Sequence, residues 1–178
     1  HYLRSRWDAA HLREVIDHSL ATAGSVGAPC TWVLSNHDVR RHVTRLAPVE
    51  SDGSVDLERG LARARAASMV MLALPGSAYL YQGEELGLPE VIDLPAEARQ
   101  DPTFLRTAGE VIGRDGCRVP IPWEGTTPSF GFGPSEESWL PQPDFFAGLS
   151  VAAQTGVADS TLEMYRSALR ISKDQPGL

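Results

Sequence analysis

Asn36-His37-Asp38 is the first cluster with the means to do chemistry. Asn36 is the only asparagine of the chain, and it stands between an apolar run and a carboxylate. An imidazole beside a carboxylate can hydrogen-bond a sugar ring, and a fixed carboxylate can steady positive charge building on a reacting carbon. The same triplet also fits an Asx turn or a helix cap after a strand. On the triplet alone both readings stand. A second acidic pair, Glu84-Glu85, follows Tyr81-Gln82-Gly83. Sequence neighbours rarely face each other as two-carboxylate chemistry requires, so Glu84 and Glu85 read as cap or buried ion-pair residues. No histidine pair at helical spacing and no cysteine pair for zinc appear, so no metal or other cofactor is expected.

The elements that must hold these residues can be read from periodicity. Apolar Ala10, Leu12, Val15, Ile16 and Leu20 recur at helical spacing between Trp7 and about Ala23, where Gly24 stops the run. Cys30 to Ser35 is rich in β-formers, as in a strand buried on both faces. Residues 39–54 read as a loop with Arg40, Arg41 and Arg45. A second helix is expected from about Val55 to Leu74, its Ala/Met-rich end packed on a sheet and stopped by Pro75-Gly76. Ser77 to Tyr81 is the second strand. Residues 86–158 hold most of the prolines, and so long an irregular connection is usually functional or disordered. Phe130, Phe132, Trp139, Phe145 and Phe146 argue for order there. A last helix is expected from about Ser160 to Ile171, with Leu162, Tyr165 and Leu169 as its apolar stripe. The alternation of helix and strand means parallel strands joined by crossovers. In such folds the ligand site lies beyond the carboxyl ends of the strands, where both polar clusters fall.

Composition sets limits. With 178 residues, 42% of them apolar, the chain can build one core. A complete (β/α)8 barrel needs about 250 residues, so at most part of one is expected. The chain opens on His1 rather than Met and ends on Gln175-Pro176-Gly177-Leu178, both of which read as cut ends. The formal net charge of −7 argues against a nucleic-acid partner. No apolar run approaches the ~18 residues of a membrane span, so no membrane partner is expected. Cys30 and Cys117 are far apart, a usage that fits a reducing compartment better than a disulfide scaffold.

Three motifs in order carry a resemblance. Leu34-Ser35-Asn36-His37-Asp38-x-x-Arg41 is followed by Pro75-Gly76 and Tyr81-Gln82-Gly83-Glu84-Glu85-Leu86-Gly87, then by Gly113-Arg114-Asp115-Gly116-Cys117-Arg118-Val119-Pro120-Ile121-Pro122-Trp123. Together they resemble the seventh and eighth strands of the α-amylase superfamily, glycoside hydrolase family 13, in its bacterial oligosaccharide α-glucosidase branch. The resemblance spans roughly residues 30–173. It implies an α/β chain forming the C-terminal quarter of a (β/α)8 TIM barrel, a partial catalytic domain over 1–178 with a long βα loop at about 86–158. The C-terminal β domain of such enzymes would be absent.

The family implies a retaining double displacement by two carboxyl groups, both upstream of His1, with a third carboxylate steadying the transition state. By that resemblance Asp38 is the third carboxylate, His37 and Arg114 bind the innermost glucose, and Arg41 either lines the entrance for the leaving sugar or is an ordinary surface residue. Arg118 matches a second family arginine and reads as a brace. Phe130, Phe132 and Trp139 either stack on sugars or form the loop's own small core. Many relatives read Arg-Thr-Pro-Met-Gln-Trp where this chain has Arg118 to Trp123, a departure that bears on the subfamily. The implied activity is hydrolysis of terminal α-glucosidic bonds in a small oligosaccharide such as maltose, isomaltose or sucrose. The alternatives are a trehalose synthase or another glucosyltransferase or isomerase of the family, and a non-catalytic member serving as a binding domain. A bacterial cytoplasmic location is expected, and the oligomeric state is left open.

Overall fold

A computed structural model of the chain describes residues 2–174. His1 and residues 175–178, on which the expectation of cut ends rests, lie outside the described residues. Helix α1 (Ala9–Ser25) starts where the Asp8 carboxylate accepts the His11 backbone N–H at 2.7 Å, an N-cap that satisfies one orphan donor. Its Leu12, Val15, Ile16 and Leu20 stripe packs half-buried on the strand core, as the periodicity predicts. Strand β1 (Thr31–Val33) follows, then the five-residue helix α2 (His42–Leu46) inside the stretch read as a loop. Four of its residues are buried, but five residues are too few to show a period. Helix α3 (Leu57–Ala73) is capped by Asp56, which accepts the Arg59 N–H at 2.8 Å. It buries Ala64, Ala67, Ser68 and Met71, one face at helical spacing.

Strand β2 (Ser77–Tyr79) pairs in parallel with β1, Trp32 opposite Ala78. Both strands are shorter than expected, because the chain turns outward as soon as the pairing ends. The sharp exit from α3 needs Gly76, at φ +120°. A Cβ there would lie 2.3 Å from the Cys30 carbonyl oxygen. Trp32, almost fully buried, donates its indole N–H to the Pro75 carbonyl at 2.9 Å and meets Tyr2 edge-on. The first core therefore joins β1 to α3 through Trp32, Leu34, Ala67 and Met71.

Between β2 and the last helix the chain runs through α4 (Pro102–Arg106), α5 (Asp115–Arg118) and α6 (Val151–Gln154), with 3-10 turns between them. Ordering an irregular chain costs about 1–2 kcal/mol per residue. The compensation is a second core of Leu86, Leu88, Val91, Leu94, Val119, Leu140 and Phe146, closed by Leu162 of α7 (Thr161–Asp174). Burying each such side chain contributes about 1.5–3 kcal/mol. The aromatic content thus reports order, as expected, although Phe145 is half-exposed.

Helix α7 turns Leu162, Tyr165 and Ala168 inward, while Leu169 is exposed. Leu162 and Tyr165 of the expected stripe are thus buried, with Ala168 in place of Leu169, and the Tyr165 hydroxyl lies 2.6 Å from Ser68 Oγ of α3. Parallel pairing across a helical crossover makes the chain α/β, as read from the sequence. No helix among the described residues is long and apolar enough to cross a membrane.

Candidate active site

Beyond the end of β1 the Asn36 side-chain oxygen accepts the Asp38 backbone N–H at 2.8 Å. This is the Asx turn that one reading of the triplet predicts. The turn does not exclude the other reading, because it uses the Asp38 backbone N–H and leaves the carboxylate for other partners. Asp38 Oδ1 accepts from Arg114 Nη1 at 2.8 Å and from Arg118 Nη2 at 3.3 Å, while His37 Nε2 stands 3.3 Å from Oδ2. Arg118 also donates through Nε to the His37 carbonyl at 2.9 Å, tying the turn to α5. The hydrogen bond from Arg114, with the charges of His37, Arg114 and Arg118, holds the Asp38 carboxyl below the usual carboxylate range. Asp38 and Arg114 both remain about half-exposed, so the charged cluster is open to a ligand.

Arg114 and Arg118 bracket the single turn of α5, four residues apart and therefore on one face. Asp115 fixes that turn from below, where Oδ2 accepts the backbone N–H groups of Gln100 and Asp101 at 2.9 Å each. Asp101, with its side chain fully buried, accepts the Arg114 backbone N–H at 2.8 Å and Nε at 2.7 Å through one oxygen. This approach needs Gly113, at φ +72°, because a Cβ there would lie 2.7 Å from Asp101 Cβ. The Tyr81 hydroxyl, just past β2, reaches the Cys117 carbonyl at 3.2 Å. Cys117 is free, and burial pushes its thiol up to about 11, which makes it packing and no nucleophile. Cys30 is free and buried as well.

Arg41 requires a correction. It is 1% exposed, so it neither lines an entrance nor sits on the surface. Its guanidinium donates through Nη1 to the Gln82 carbonyl at 2.7 Å and lies over the Tyr81 ring, while its backbone N–H meets Glu90 at 2.9 Å. Aromatic and carbonyl partners near the strand ends drew this residue inward, a tertiary choice that spacing does not reveal.

Glu84 is buried, as expected, but makes no ion pair among the described residues. Its carboxyl oxygens make no hydrogen bond of ordinary geometry there, although the Ser35 and Tyr165 hydroxyls approach it. Burial raises this carboxyl to about 8, so the group is mostly neutral at pH 7. Glu85 accepts the Gly83 backbone N–H at 2.9 Å within a turn, with no helix there for it to cap. Beside them His42 shares a 3.0 Å hydrogen bond with Ser35, and burial depresses its imidazole to about 3. Neither Glu84 nor His42 opens to the charged cluster.

Of the loop aromatics, Phe130 packs on the second core while Phe132 and Trp139 are half-exposed. Phe130 and Trp139 line a cavity of about 620 Å³ with Glu97, Glu136 and Glu137. The sequence reading therefore brought together Asp38, His37 and Arg114, misplaced Arg41, and passed over Asp101. The only sequence signal at Asp101 is the Asp-Pro of a helix cap, which says nothing about Arg114.

Comparison with known proteins adds the family. Residues 5–178 match the model of the α-amylase catalytic domain. A probable α-glucosidase of Rhizobium meliloti (strain 1021) is 40% identical over 147 residues, covering 83% of this chain and 25% of that protein. The salivary α-glucosidase of Anopheles gambiae is 34% identical, covering 78% of this chain and 21% of that protein. Among solved structures, an α-glucosyl transfer enzyme, XgtA, superposes with a TM-score of 0.78 at 34% identity, covering 98% of this chain and 30% of its own. The chain thus spans about a quarter of the length of the curated relatives it matches. A family match over nearly every residue, with Asp38, His37 and Arg114 gathered at the strand ends, leads to one conclusion: the chain belongs to the α-amylase catalytic-domain family.

Proposed function

We propose that this chain is the last two strand-and-helix units of a longer (β/α)8 α-glucosidase, which removes terminal glucose from short α-linked oligosaccharides with retention of configuration. The supporting observation is the Asp38 carboxylate, ionised and gripped by Arg114 and Arg118 beside His37, at the carboxyl end of β1. In a retaining enzyme one carboxylate attacks the anomeric carbon and a second carboxylic acid protonates the leaving oxygen. Both would come from chain preceding these residues. Asp38 would accept hydrogen bonds from glucose hydroxyls and oppose the positive charge of the oxocarbenium-like transition state. His37 would donate to a hydroxyl of the same ring, and Arg114 would bridge the sugar and Asp38 with its planar fork.

The test uses the full-length protein on maltose, isomaltose and sucrose, with proton NMR of the first glucose released. The α-anomer is expected first; β-glucose as the first product sinks the retaining reading. A second reading, glucosyl transfer rather than hydrolysis, has one observation in its favour, the likeness to an α-glucosyl transfer enzyme at 34% identity. The two differ in how well water is kept from the intermediate, and the ratio of transfer product to free glucose separates them.

A further inference from the structure

Arg114 poses a mechanical question. Its side chain is 40% exposed, and a solvated arginine has many rotamers open to it. A solvent-exposed ion pair with Asp38 is too weak by itself to hold a guanidinium still. Yet the site needs this fork in one place, because a misplacement near 1 Å can cost on the order of 10²-fold in rate.

The restraint lies on the other side. Asp101 Oδ2 takes both the backbone N–H of Arg114, at 2.8 Å, and its Nε–H, at 2.7 Å. One buried oxygen thus clamps the root and the middle of the same side chain, leaving Nη1 directed at Asp38. The clamp is itself fixed twice: Oδ1 accepts the Thr103 N–H at 2.8 Å, and the Asp101 N–H is held by Asp115 at 2.9 Å. The Asp101 side chain is wholly excluded from solvent, so it is closed to direct contact with a ligand.

We propose that Asp101 is the positioning residue of this site, the buried carboxylate that presents Arg114 to Asp38 and to the sugar. The proposal rests on the glucosidase reading for its catalytic consequence, but not for its geometry. A helix cap alone would also explain Asp101, since it starts α4. The two accounts part when the cap is kept and the carboxylate removed, because serine caps helices as well as aspartate does.

The experiment compares Asp101→Ser in the full-length protein with the wild type, and repeats the change in an Arg114→Ala background. In a crystal structure of Asp101→Ser, the Arg114 guanidinium is expected to leave Asp38. A guanidinium still bonded to Asp38 overturns the proposal whether or not the protein is a glucosidase. In kinetics, Asp101→Ser is expected to lower kcat/KM by about tenfold to a hundredfold, and by less than about threefold when Arg114 is already alanine. Equal losses in both backgrounds, or a lower Tm with unchanged kcat/KM, overturn it in favour of a cap. If the serine variant does not fold, Asp101→Asn keeps the volume and is read by the same criteria. A wild type inactive on every α-glucoside sinks the glucosidase reading, while the crystal structure still decides the role of Asp101.

Discussion

Asp38 and Arg114 stand 76 positions apart in sequence, and their carboxylate and guanidinium meet at 2.8 Å. One comes from the turn after β1, the other from the start of α5. With the two bonds from Arg118 to Asp38 and to the His37 carbonyl, that contact joins the two halves of the candidate site.

Asp38→Asn in the full-length protein keeps shape and hydrogen-bonding capacity but removes the charge. A preorganised charge in a water-excluded site is worth on the order of 10²–10³ in kcat, so turnover is expected to fall by at least ~10²-fold. Stability should change little, since half-exposed ion pairs contribute at most about 1 kcal/mol. Steady-state kinetics and thermal melts on one preparation check both. Near-normal turnover removes Asp38 from the catalytic set.

Arg114→Ala is expected to lower kcat/KM by ~10²-fold or more, and Arg114→Lys to recover little of it. A lysine ammonium is a point charge and cannot bond Asp101 and Asp38 from two edges of one plane. Recovery to near wild type by lysine shows that charge alone suffices.

Glu84 gives the stability of the protein a pH dependence with a definite sign. Its folded carboxyl sits at about 8, against about 4.3 when unfolded. Between those values the native state holds a proton that the unfolded chain has released, so stability falls as pH rises through that window. Glu84→Gln cannot ionise and escapes this loss. The Tm advantage of the variant over wild type should therefore be larger at pH 8 than at pH 5, by on the order of 5 °C. His42, depressed to about 3, adds a separate loss below about pH 6.5, common to both proteins. A Tm difference independent of pH shows that Glu84 is charged in the fold.

Residues 1–178 expressed alone are expected to show no glucosidase turnover and to aggregate. The β2 side of the two-stranded sheet is solvent-facing, with Tyr79 61% and Leu80 39% exposed, and unpaired strand edges promote association. Size-exclusion chromatography and light scattering test this. A monodisperse, sharply melting, active sample contradicts both the inactivity and the need for the rest of a barrel.

The sequence by itself determined the local structure and the chemistry on offer. Apolar spacing placed α1, α3 and α7 to within a few residues, because a helix that buries one face must repeat at 3.6. β-branched and aromatic runs ended by polar residues placed both strands and put Asn36-His37-Asp38 at a strand end. Residue type offered Asp38 and His37 their possible roles, while only the family resemblance singled out Arg114. Tertiary structure alone decided which of these side chains meet. Arg41 follows a strand-end motif and Arg114 lies far along the loop after β2, yet it is Arg41 that is buried, against Tyr81 and Gln82, and Arg114 that is held out to Asp38. The cause is the environment each backbone meets: Gly83 opens a slot in which Arg41 is enclosed, and Asp101 clamps Arg114 outside one. Asp101 itself carries no sequence signal beyond a cap, because hydrogen bonds between distant residues leave no period to read. Nor could spacing tell that Glu84 makes no ion pair among the described residues, since that depends on where the Arg41 and Arg45 side chains settle once α2 has packed.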